Sequence, residues 1–264
     1  MISIDSLIIP FIKKRIPKIA KIHRSNYAYN KKNALLKSII INKYDRVILL
    51  NYNEKDYYRL NNLAVIPNFV DDEKCKKIKL VKKDIIIFAG RIVREKQLDH
   101  LVDIWSLINS KNLNWEVHVY GDGNIKSLQE KIVEKKVEQS FKVFAGTPEI
   151  KNKMEEAKIF VLVSKSEAFP MVLLEAMQAR LPIVSYDSPH GPKNIVSDGE
   201  DGFIVSLNDK IAFAEKLDLL INNGILREKF IQNQKNKLDV FSKKSVMNQW
   251  NDLVLELLYK KTLN

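Results

Sequence analysis

Residues 159–175, IFVLVSKSEAFPMVLLE, decide how this chain folds. Ile159 to Val163 is an unbroken apolar run of strand length, the pattern of a strand buried on both faces. Ser164-Lys165-Ser166 makes the turn, and Pro170 stands at the expected first position of a helix, where a missing N–H costs nothing. The order strand, acidic loop, helix puts Glu167 at the carboxyl edge of a sheet, beside the free backbone N–H groups of Phe169, Met171 and Val172. Glu175 follows about a turn and a half into the helix, among Val172, Leu173, Leu174 and Met177, where a carboxylate needs a polar partner. Taken alone, two Glu at this spacing also fit a helix cap and a solvated helix Glu.

The same alternation runs outward from this stretch. Strands are expected at Ile85 to Ala89, Trp115 to Tyr120, Phe141 to Phe144, Ile183 to Tyr186 and Gly202 to Val205. Between them the apolar spacing predicts helices over Glu95 to Ser110, Asn124 to Lys136, Pro148 to Ala157 and Pro170 to Arg180. After the last strand only helices follow: Asp209 to Asn222, Ile225 to Leu238 and Ser242 to Tyr259. Strands and helices in strict alternation specify a parallel α/β sheet, here one complete Rossmann-like domain. The first eighty residues carry less, with strands expected at Ile19 to His23, Arg46 to Asn51 and Leu63 to Ile66, and helices at Lys31 to Ile41 and Glu54 to Leu60.

Two further groups of residues bear on chemistry. Gly90-Arg91 follows the first strand of the complete domain, and Lys96 falls in the first turn of the next helix. Loops at the carboxyl ends of parallel strands are where such sheets bind ligands, and a guanidinium fork with an ammonium point charge can grip a pyrophosphate. The bland alternative is a pair of exposed basic residues. Tyr120-Gly121-Asp122-Gly123 supplies a glycine turn, and Phe144-Ala145-Gly146-Thr147-Pro148-Glu149 ends another strand. No Asp-x-Asp pair exists in the sequence, which leaves a diphosphate to Arg91, Lys96 and helix N-termini rather than to a metal.

Together these stretches resemble family 4 retaining glycosyltransferases over roughly residues 18 to 255. The resemblance implies a GT-B fold, α/β, with one complete Rossmann-like C-terminal domain plus a partial Rossmann-like N-terminal domain. Its divisions are 1–80 (acceptor-side domain and linker, closing at Ile66-Pro67-Asn68), 81–240 (nucleotide-sugar domain) and 241–264 (a helix returning toward the first domain, with Trp250 in the bracing segment). It implies that Glu167 contacts donor-sugar hydroxyls, Glu175 binds the ribose, and Arg91 and Lys96 hold the diphosphate. Gly90, Phe169, Pro170, Met171, Val172 and Gly121 then line the donor, with Thr147 and Ile150 near the base and His23 at a strand end on the sugar side. Gln97 stands where the family commonly has Gly, and Asn194 replaces a family Glu, which points to a structural role for the Asp187 to Asn194 loop. Family chemistry of this kind has no clear protein nucleophile and needs no cofactor or metal. A first domain of about 100 to 150 residues would require leading strands that this sequence does not contain.

Composition bounds the partners. The net charge is +12, with 19 Lys+Arg against 7 Asp+Glu in residues 1–83 and 25 against 25 thereafter. Lys13, Lys14, Arg15, Lys18 and Lys21, interleaved with Ile12, Ile16, Ile19 and Ile22, suit an anionic membrane surface or a solvated basic face. No recognition helix, aromatic RNA-binding strand or zinc framework supports nucleic acid. The single cysteine, Cys75, excludes an internal disulfide. The expected place is the cytoplasm or the inner face of the cell membrane, and the expected partners are a nucleotide-sugar donor, most simply a UDP-hexose, and a glycan, lipid-linked or polyol-phosphate acceptor. A nucleotide-sugar epimerase of the same fold and a non-catalytic nucleotide-sugar-binding remnant fit the same motifs.

Overall fold

The computed structural model describes residues 17–23, 41–57, 60–71, 81–189 and 191–262. Two compact units emerge, Met1–Asp72 with Val240–Asn264, and Glu73–Asp239. In the first unit β1 (Ile19–Lys21), β2 (Arg46–Leu49) and β3 (Leu63–Val65) form a parallel sheet with β2 in the centre. Alternation along β2 sends Val47 and Leu49 to one face, against Ala20, Ile22, Ile41 and Tyr44, and Ile48 to the other.

The second unit is a six-stranded, wholly parallel sheet. Its strands are β4 (Ile85–Ala89), β5 (Glu116–Tyr120), β6 (Phe141–Phe144), β7 (Ile159–Leu162), β8 (Ile183–Tyr186) and β9 (Gly202–Val205), in the order β6-β5-β4-β7-β8-β9. Counted within the unit this is 3-2-1-4-5-6, the doubly wound order, and the winding reverses between β4 and β7. Central β4, β7 and β8 are buried at every position because helices cover both faces, which is why their sequences read as apolar runs. Nearer the edge, β5 alternates: Val117 and Val119 are buried, whereas Glu116, His118 and Tyr120 are half-exposed.

The helices of this unit are α1 (Leu98–Ile108), α2 (Lys126–Glu134), α3 (Ile150–Glu156), α4 (Met171–Gln178), α5 (Lys210–Asn222) and α6 (Gly224–Val240). Leu98, Leu101, Val102, Trp105 and Ile108 recur at helical spacing and form the buried face of α1. Fully buried Trp105 donates its indole N–H to Ser140 Oγ at 2.8 Å. Gln234 of α6, 1% exposed, donates to the carbonyls of Leu181 and Asp201, fastening α6 beside the ends of β8 and β9. The last helix, α7 (Lys243–Thr262), belongs to the first unit and packs Val246, Leu253 and Leu257 on Ile48 and Ile66, with Trp250 beside them. Val70 N–H donates to Phe241 O at 3.0 Å, joining the segment after β3 to the start of α7. Among the described residues no helix is long and apolar enough to cross a membrane.

Several expectations need correction. The helix expected over Glu95 to Ser110 is broken: Arg94–Lys96 is a 3-10 turn, Gln97 is left-handed, and α1 begins only at Leu98. Lys96 therefore precedes the helix rather than lying in its first turn. The Glu54 to Leu60 helix is replaced by a 3-10 helix over Tyr52–Tyr57, with Asn51 Oδ1 accepting from Glu54 N–H at 3.1 Å. Pro170 is the cap of α4, in an extended conformation with ψ 90°, and Met171 is its first residue. The Lys31 to Ile41 helix, apart from Ile41, and Cys75 lie outside the described residues.

Candidate functional site

The loops leaving β4 and β7 part at the point where the winding reverses, which opens a crevice at the carboxyl edge of the sheet. The first carries Gly90, Arg91 and Lys96; the second carries Glu167, Phe169 and Pro170. Two links join them. Lys165 N–H donates to Glu95 O at 2.8 Å, and the Lys96 ammonium donates to Glu167 Oε1 at 2.5 Å. The side chains of Lys96 and Glu167 are only 19% and 14% exposed, so this pair is screened less than a surface ion pair.

Close backbone approaches set the loops. A Cβ on Gly121 would lie 1.8 Å from Gly90 O, and one on Gly123 would lie 2.0 Å from Ile92 O. Both glycines let the β5 turn press against the β4 loop, where Gly90 N–H bonds Tyr120 O and Ile92 N–H bonds Asp122 O. The first role of these glycines is therefore structural. Asp122 in turn accepts from Gly146 N–H at 3.0 Å, tying the β6 loop to the β5 loop. Gly191 matters in the same way although the sequence reading did not single it out: a Cβ there would lie 2.7 Å from both Cβ and O of Glu167. The chain after β8 thus braces the backbone of Glu167, and Gly191 immediately before Pro192 was the available signal.

Each expected site residue has a definite setting. Arg91 is exposed, and its guanidinium makes no hydrogen bond or ion pair among the described residues. Met171 and Val172 lie in the first turn of α4, ahead of the first intrahelical bonds, so their N–H groups face outward from the helix start. Phe169 is buried in the loop just before α4. Glu175 is half-buried and its carboxylate makes no hydrogen bond among the described residues. Burial pushes its pKa up, and Lys151 at the start of α3 partly opposes the shift. A desolvated carboxylate without a donor is unfavourable unless a ligand supplies one. Thr147 Oγ1 accepts from Glu149 N–H at 3.2 Å, which shapes the turn into α3 where Ile150 begins the helix. His23 belongs to the other unit, just past β1 and largely exposed; partial desolvation of the ring and then the neighbouring Lys21 charge lower its pKa.

Gln97 is the residue whose importance the sequence concealed. It takes φ 46° and ψ 44°, a left-handed backbone that costs a residue with a Cβ about 1–2 kcal/mol. Its side chain offsets this by donating to Asn208 Oδ1 at 2.9 Å.

The arrangement can take an anion beside Arg91 and Lys96, hydroxyls at Glu167, and further hydroxyls at Glu175. The glycosyl transferases group 1 family model matches residues 70–237. The chain is 27% identical to the amylovoran biosynthesis glycosyltransferase AmsD of Erwinia amylovora, over 80% of this chain and 62% of that protein. It is 26% identical to a poly(ribitol-phosphate) alpha-N-acetylglucosaminyltransferase of Staphylococcus aureus, over 86% of this chain and 45% of that protein. The chain thus spans about half the length of these curated relatives. Among solved structures, Anabaena HepE in complex with UDP superposes with a TM-score of 0.84 at 17% identity, covering 91% of this chain and 72% of HepE. That likeness identifies the fold as α/β of the GT-B type. With the family model spanning more than half of its residues, the chain is a member of the glycosyl transferases group 1 family.

Proposed function

We propose that this chain carries the donor-binding part of a retaining glycosyltransferase. In this reading a hexose-type sugar passes from a nucleotide-diphospho-sugar, in the first instance a UDP-sugar, to a glycan, lipid-linked or polyol-phosphate acceptor of cell-surface polysaccharide synthesis. The observation that carries it is the meeting of Lys96 and Glu167, from two loops, at the reversal of the sheet, with Arg91 on the same loop as Lys96 and unpaired among the described residues. The UDP bound to HepE and the activities named for the two relatives support the choice of donor and acceptor class.

Arg91 and Lys96 bind the diphosphate and stabilise the charge that develops on it as the bond from the anomeric carbon to the phosphate oxygen breaks. The acceptor oxygen bonds to that carbon on the same face, and its proton passes to the departing phosphate. Glu167 orients the sugar, and Glu175 accepts from the ribose hydroxyls. The diphosphate charge is met by these cations and the start of α4 without a metal, so chelation leaves turnover unchanged. The place of action is the cytoplasm, at the inner face of the membrane, where the basic residues of the first third meet anionic lipid.

The test is a panel of UDP-hexoses followed by NMR with the purified chain, beside calorimetry with UDP and uridine. UDP should bind more tightly than uridine, and any sugar transferred to an acceptor should keep its anomeric configuration. Interconversion of the sugar while still attached to UDP, without acceptor, would instead make the protein an epimerase.

A further inference from the structure

The loop carrying Arg91 and Lys96 is anchored on three sides. Toward β5, Gly90 and Ile92 N–H bond to Tyr120 O and Asp122 O. Toward β7, Glu95 O accepts from Lys165 N–H. Both anchors are backbone bonds, which depend little on side-chain identity. The third joins side chains: Gln97 Nε2 donates to Asn208 Oδ1 at 2.9 Å and lies 3.4 Å from His100 Nε2.

Gln97 occupies the joint of the loop. Its N–H donates to Arg94 O at 3.2 Å, closing the turn that carries Lys96, and its carbonyl accepts from His100 N–H at 2.9 Å, opening α1. Asn208 is itself left-handed, with φ 69°, in the connection from β9 to α5. Two side-chain-bearing residues in a conformation that glycine adopts freely therefore meet through their amides. Glycine at position 97 would relieve the backbone but leave the joint unclamped.

We propose that Gln97 and Asn208 are positioning residues for Lys96: their hydrogen bond holds the kink that presents the Lys96 ammonium to Glu167 and, when donor is bound, to the diphosphate. This inference rests on the donor reading above.

Asn208→Ala tests it by calorimetry with UDP and with uridine, in the wild-type chain and in a Lys96→Ala chain. The expected result is about a five-fold loss of UDP affinity in the wild-type background, the effect of one hydrogen bond, with uridine changed less than about two-fold. In the Lys96→Ala background the loss should disappear, because the clamp then has nothing to position. An equal loss for both ligands, or the same loss without Lys96, overturns the proposal. Should Asn208→Ala unfold, Gln97→Gly provides the second variant, since it removes strain and clamp together. It should show the same UDP-selective loss with an unchanged or higher Tm, and wild-type UDP affinity in it also overturns the clamp. If Lys96→Ala costs uridine and UDP equally, the donor reading itself fails; if Lys96→Ala discriminates and Asn208→Ala does not, only the clamp fails.

Discussion

The Lys96 ammonium and the Glu167 carboxylate meet at 2.5 Å across 71 residues of sequence, and neither side chain is more than one-fifth exposed. Each neutralises the other. A donor that brings both phosphate and sugar hydroxyls can replace both halves of the pair at once, giving Lys96 an anion and Glu167 hydroxyl donors.

Losing either cation should therefore be felt at the diphosphate. Arg91→Ala and Lys96→Ala should each weaken UDP by about 1.5 to 3 kcal/mol and uridine far less. Calorimetry with the two ligands measures the difference directly, and equal losses would remove both residues from the site.

Glu167→Gln separates the sugar from the nucleotide. The neutral amide no longer competes for Lys96, so UDP should bind unchanged or about two- to three-fold tighter, while a UDP-sugar gains nothing or loses affinity. A UDP affinity that falls as far as in Lys96→Ala would mean that Glu167 serves the nucleotide instead.

Glu175 links the site to pH. Its folded pKa is raised, so the charged form is disfavoured in the folded state; the destabilisation is fully present above the folded value and vanishes below the unfolded one. Glu175→Gln should raise Tm near neutral pH by about 2 °C, allowing for solvent screening of a half-exposed group, and the gain should fade as pH drops toward about 4. The same variant should weaken UDP. Scanning calorimetry across pH that shows a loss of stability at neutral pH would mean that the carboxylate already has a donor.

Gly191→Ala places a methyl carbon 2.7 Å from Glu167 Cβ and O, where backbone must move. The expected penalty is about 1–2 kcal/mol, or a fall in Tm of about 3–6 °C, with sugar-nucleotide binding reduced more than UDP binding. A variant with wild-type melting and affinity would show that the loop after β8 does not hold Glu167.

The uneven charge predicts adsorption to anionic vesicles that weakens as salt rises, by roughly 1 kcal/mol for each basic residue at the surface. Sedimentation that ignores anionic lipid would leave the basic residues as a solvated face.

The sequence by itself determined the local elements. Ile85–Ala89 and Ile183–Tyr186 are strands at the expected bounds, because a strand buried on both faces reads as a nearly continuous apolar run. Alternation with helices then specified a parallel sheet, and short spacing placed Glu167 and Glu175 around one helix start. Tertiary structure alone decided the rest. Lys96 meets Glu167 only because β4 and β7 are neighbours, which follows from the crossover order and not from any local period. The need for glycine at 121 and 191 comes from the approach of other loops, and the left-handed Gln97 is tolerated because Asn208, 111 residues away, receives its amide. Hydrophobic periodicity is a property of neighbouring residues, whereas these contacts arise from the packing of distant ones, and so they could not be read before the chain was folded.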